Sequence, residues 1–174
     1  MEVTGNNNNT ELVNTFANII NIVEILTAKI ISLESNNILK LNENEVKFIK
    51  QMMNDNPDSF EKISTKINDI MVKRQIVVGD IPDLIYIIST IYIHDFEHKS
   101  INIIDCIQFT INTIIESGII PIKETDAEIL EGVVNSSLNL LKLNLPAIEK
   151  GAKNGVTIVV KIMRRVISGL KCGF

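Results

Sequence analysis

The chain's two histidines, His94 and His98, together with Glu97 spell the pattern H-x-x-E-H. In inverted zinc peptidases that spacing sets two imidazoles one helical turn apart to bind zinc, while the glutamate activates a water. Here the pattern follows an aliphatic run and leads into Lys99 and Ser100, so it reads as a charged loop after a helix. No third histidine is present, and a glutamate such as Glu116, Glu128 or Glu131 would have to complete the ligand set. Asp69 to Asp80 begins and ends with a carboxylate like a calcium loop, but Met71, Lys73 and Arg74 stand where oxygen ligands and a glycine are needed. The sequence has no G-x-S-x-G elbow, no Gly-rich phosphate loop and no cysteine beside a histidine. Cys106 sits in an apolar run and reads as a core residue. The expectation is a protein that is not an enzyme and that uses no metal or cofactor.

Charge says more. There are 17 Lys and Arg against 21 Asp and Glu, for a net of −4. Six of the basic residues (Lys150, Lys153, Lys161, Arg164, Arg165 and Lys171) lie from Lys150 onward, where no acid occurs, so the preceding part carries 11 basic against 21 acidic residues. Lys161, Arg164, Arg165 and Ser168 share one face at helical spacing, opposite an aliphatic stripe of Val159, Ile162, Met163, Val166, Ile167 and Leu170. A basic amphipathic helix can pack on its own core with a solvated outer face, dock on an acidic protein, or lie on a membrane surface. Nucleic acid is disfavoured, because the net charge is negative and aromatics to stack on bases make up only 5%. Lys161, Arg164, Arg165 and Lys171 are therefore the candidate partner-binding residues. Cys172 is third from the end and Glu2 follows Met1, so neither a prenylation nor a myristoylation signal is matched.

These faces need elements to hold them, and the spacing predicts helices throughout. Apolar positions at steps of three and four give a first helix from Leu12 to Leu33. Asn42 with Glu45, Asp58 with Glu61 and Thr125 with Glu128 have capping-box spacing, and each precedes an apolar period. Gly79, Asp80 and Pro82 open a strongly apolar fourth helix that runs to Ile93, and Ile101 to Ser117 makes a fifth that ends at Gly118. Pro146 opens a short helical piece, and Val156 to Leu170, although rich in β-branched residues, fits a helical stripe better than a strand. The predicted fold is all-α, a compact single-domain bundle of about six to eight helices. Residues 1–10 form a polar, Asn-rich tail expected to be disordered, and 11–174 the helical domain. The core must be aliphatic, because hydrophobic residues are 45% of the chain while Trp is absent. No apolar stretch reaches the ~18 residues of a spanning helix, and no secretory signal is visible. Apolar residues on more than one face of the first helix mean that it is either central to the fold or packed against another molecule, and a homo-oligomer, a dimer in the first place, is expected.

The stretch Ile76-Val77-Val78-Gly79-Asp80-Ile81-Pro82-Asp83-Leu84-Ile85-Tyr86-Ile87-Ile88 resembles segments of small helical minor capsid or virion structural proteins of large nucleocytoplasmic DNA viruses. The resemblance implies a non-enzymatic structural component that bridges major capsid units, works as an oligomer and resides in the virion or the host cytoplasm; outside a viral setting the expected location is cytoplasmic. It carries over no site residues. A second class stays open, a helical protein-binding module like the Bcl-2-like bundles, which would hold an amphipathic helix in a groove. The zinc hydrolase, through His94 and His98, is the third.

Overall fold

The computed structural model describes residues 20–73, 79–94, 101–120, 122 and 126–149, with Thr157, Val159, Lys161 and Arg164 towards the C-terminus. Six helices are bounded among them: α1 (Ile22–Ser35), α2 (Glu43–Asp55), α3 (Pro57–Lys73), α4 (Asp80–His94), α5 (Ile103–Glu116) and α6 (Ala127–Glu149). No strand occurs among the described residues, and the architecture is the all-α bundle that the spacing predicts.

Local chemistry sets the boundaries. The capping box at α2 closes as expected, with Asn42 Oδ1 accepting from the Glu45 N–H at 3.0 Å and Glu45 Oε2 accepting from the Asn42 N–H at 2.9 Å. Asn102 caps α5 by accepting from the Ile104 N–H at 3.1 Å. Past the end of α5, Gly118 takes a φ of 69°, in the left-handed region that costs a glycine little.

Three boundaries depart from expectation. The first helix starts at Ile22, because Asn21 is extended and its Oδ1 accepts from the N–H groups of Val23 and Glu24 at 3.1 and 3.4 Å. The apolar period continues upstream of this point, but an asparagine that satisfies the free amides ahead of it favours a helix start over a continuing ladder. Leu12 to Ile19 lie outside the described residues. At α3, Pro57 is the first helical residue and the Asn56 carbonyl accepts from the Ser59 and Phe60 N–H groups at 3.0 and 3.4 Å, which places Asp58 inside the first turn. Proline fits there because its missing N–H would have no partner in any case. Pro146 lies within α6, so the expected separate piece is the last part of that helix. Thr125 of the third expected capping box is outside the described residues.

Packing accounts for the apolar surface of α4. α4 lies against α3, α5 and α6, and between Asp80 and Ile93 only Asp83 is exposed. Two of its hydroxyls are satisfied within the helix: Ser89 donates to the Ile85 carbonyl at 2.6 Å and Thr90 to that of Ile87 at 2.7 Å. Tyr92, fully buried, packs against Phe48 and Phe60 with ring centroids 5.8 and 6.2 Å away. Thr110 Oγ1 donates to the Cys106 carbonyl at 3.0 Å, so in the 2.8 Å contact with Thr110 the Tyr92 hydroxyl is the donor. A helix apolar on all sides therefore finds its burial at the centre of the bundle. Across this centre α1 packs on α2, α3 and α5.

Candidate interaction surfaces

The C-terminal helix is seated on this core by one described side chain. Val159 is fully buried, whereas Thr157, Lys161 and Arg164 are helical and exposed. Positions 157, 161 and 164 follow helical spacing and form one outward stripe; in a strand, 157, 159 and 161 would point the same way. Neither Lys161 nor Arg164 forms an ion pair with a described residue. Arg165 and Lys171, the other two candidate residues, lie outside the described residues.

The histidine motif divides. His94 is the last residue of α4, and Glu97 and His98 lie outside the described residues. Among the described residues no group of three His, Cys, Asp or Glu is placed to hold a metal ion. The two ends of the rejected calcium loop are apart in role: Asp69 belongs to α3, and Asp80 opens α4 with its side chain 3% exposed. Asp80 Oδ1 meets the ammonium groups of Lys66 at 3.0 Å and Lys73 at 3.7 Å, and Lys66 also reaches Asp83 at 3.0 Å. Burial pushes the Lys66 ammonium down, but hydrogen bonds to Asp83 and Asp80 outweigh it and leave the group above its ordinary value. The cluster ties α3 to α4.

Cys106 is buried, and burial, then the Glu45 and Asp105 carboxylates, push its thiol well up. A thiol held neutral in this way is a poor nucleophile, which fits its reading as a core residue. Burial and the neighbouring Glu45 carboxylate likewise raise Asp105. Glu45 does more than its spacing announced. While Oε2 caps α2, Oε1 accepts from the Asn102 N–H at 3.2 Å, so one carboxylate that is 3% exposed holds the starts of both α2 and α5.

Two clefts flank the outer face of α5. One, of about 400 Å³, lies between α1, the segment 38–41 and α5, with Leu33, Leu39, Leu41 and Phe109 beside Asp105 and the Lys29–Glu116 ion pair of 2.7 Å. The other, of about 380 Å³, lies between α5 and α6 over Ile115, Ile122, Leu130 and Val134. Its charged lining among the described residues is Glu116 and Glu131. Gln108, Asn112 and Glu116 border both clefts. Neither was visible in the sequence, because each joins residues from separate helices. No helix among the described residues is long and apolar enough to cross a membrane. Comparison with protein-family models, with curated proteins and with solved structures finds no match for this chain.

Proposed function

We propose that this chain is a non-enzymatic assembly protein that docks on acidic protein surfaces, its own copies included, through the outward face of its C-terminal helix. The observation that carries the reading is the split at that helix, where Val159 is fully buried while Lys161 and Arg164 face outward without an ion-pair partner among the described residues. Cations that face outward beside a seated side chain are available to a partner's carboxylates, and an interface of this kind gains on-rate and specificity from them. The resemblance of the Ile76–Ile88 stretch to virion proteins extends the proposal to a minor capsid component bridging major capsid units, in the virion or the host cytoplasm. The same face would attract an anionic membrane surface, which salt and vesicle composition distinguish from a protein partner.

Light scattering on wild type and on the Lys161→Glu, Arg164→Glu double variant tests the reading. We expect an oligomer in wild type that weakens with added salt and is lost in the variant. If the wild-type oligomer survives the double reversal, the basic face is not the docking surface.

A second reading is favoured by the cleft beside α1 and α5, where Leu33, Leu39, Leu41 and Phe109 lie among charged and polar side chains: a helical module that takes up a partner's amphipathic helix. Stoichiometric binding of such a peptide by an isolated monomer, lost on Phe109→Glu, would place the function there.

A further inference from the structure

We infer that the cleft between α5 and α6 is the receptor for the Lys161–Arg164 face of a second copy of this chain, so that copies join basic helix to acidic cleft. The inference rests on the reading of the basic face given above and names its partner. A lysine or arginine side chain has two requirements of a receptor: apolar surface for its methylene stem and a carboxylate for its head. The cleft supplies both, with Ile115, Ile122, Leu130 and Val134 beside the exposed carboxylates of Glu116 and Glu131. Glu116 shares its charge with Lys29 at 2.7 Å, whereas Glu131 forms no ion pair with a described residue. On the other side of the contact, Lys161 and Arg164 are three positions apart on one helical face, a spacing at which neighbouring side chains reach the same partner.

Charge favours the same pairing at long range. The part of the chain before Lys150 holds 11 basic against 21 acidic residues, and the part from Lys150 holds six basic residues and no acid. The C-terminal part of one copy is therefore drawn to the body of another. Val159, buried in its own core, turns the basic face away from the molecule that carries it. Because face and cleft are different patches, the contact is heterologous, and copies add head to tail into a ring or filament unless two molecules satisfy both contacts at once.

Sedimentation velocity over a concentration series, on Arg164→Glu, Glu131→Lys and an equimolar mixture of the two, decides the matter. Both positions are exposed, and unchanged circular dichroism and unfolding midpoints verify that each variant folds. We expect each reversal alone to weaken association about tenfold. In the mixture, contacts between unlike variants regain opposite charges while those between like copies do not, so chains that alternate should return association to within about threefold of wild type. If Arg164→Glu abolishes association while Glu131→Lys leaves it unchanged, or if the mixture does not recover, the cleft is not the receptor; the basic face then docks elsewhere and its own reading stands. A wild-type chain that stays monomeric across the series overturns the second copy as partner.

Discussion

Glu45 is nearly fully buried, and its two oxygens accept N–H groups from Asn42 and Asn102, residues far apart in the chain. Removing an acceptor from two such donors costs more than the loss of one surface cap, because charge-assisted bonds are the stronger ones and two helix starts lose their acceptor at once. We predict that Glu45→Ala lowers the unfolding free energy by roughly 2–3 kcal/mol in a denaturant titration. Glu45→Gln, which keeps one acceptor oxygen, should lose less; equal losses would mean that only one of the two bonds matters. Half of this role was legible in the sequence, since Asn42 and Glu45 are three apart. The bond to Asn102 spans 57 positions and depends on how α2 meets α5, which no local spacing encodes. Lys161 and Arg164 were legible for the opposite reason: helical periodicity alone sets them against Val159.

At the scale of elements, helix type was readable throughout the described residues and helix starts were less so. Periodicity reports which face is buried, and it continues smoothly past Asn21 and Pro57, whereas the start is decided by which side chain or carbonyl satisfies the first free amides. The junction of α3 with α4 yields a pH prediction. The Lys66 ammonium, held between Asp80 and Asp83, lies above its ordinary value of 10.5. A lysine raised in the folded state contributes its full stabilisation below the unfolded value, and loses it as pH climbs through the folded one. Wild type should therefore weaken on the alkaline side of 10.5, relative to a Lys66→Met variant that is already weaker at neutral pH. Parallel pH profiles of the two unfolding midpoints would show that the cluster contributes nothing.

For the whole molecule, the central position of α4 reassigns the surplus of apolar residues. On the sequence alone, apolar residues on several faces argue for a central place or for a partner; in the bundle, α3, α5 and α6 enclose α4, the most apolar of the described helices. Ile31 on α1, Val72 on α3 and Leu143 on α6 stay exposed, so apolar contact stands beside the proposed pairing of basic face and acidic cleft as a source of self-association. A helix so enclosed should open only with the whole fold, and amide hydrogen exchange across α4 should report the global unfolding free energy. Faster exchange there than in α2 would contradict this.

The same enclosure has a consequence for birth on the ribosome. α4 precedes two of the helices that cover it, so as the chain emerges its apolar surface meets water until α5 and α6 have followed. For that interval the nascent chain presents its greasiest segment to the cell, and its yield should depend on chaperone capacity more than the finished bundle's stability suggests.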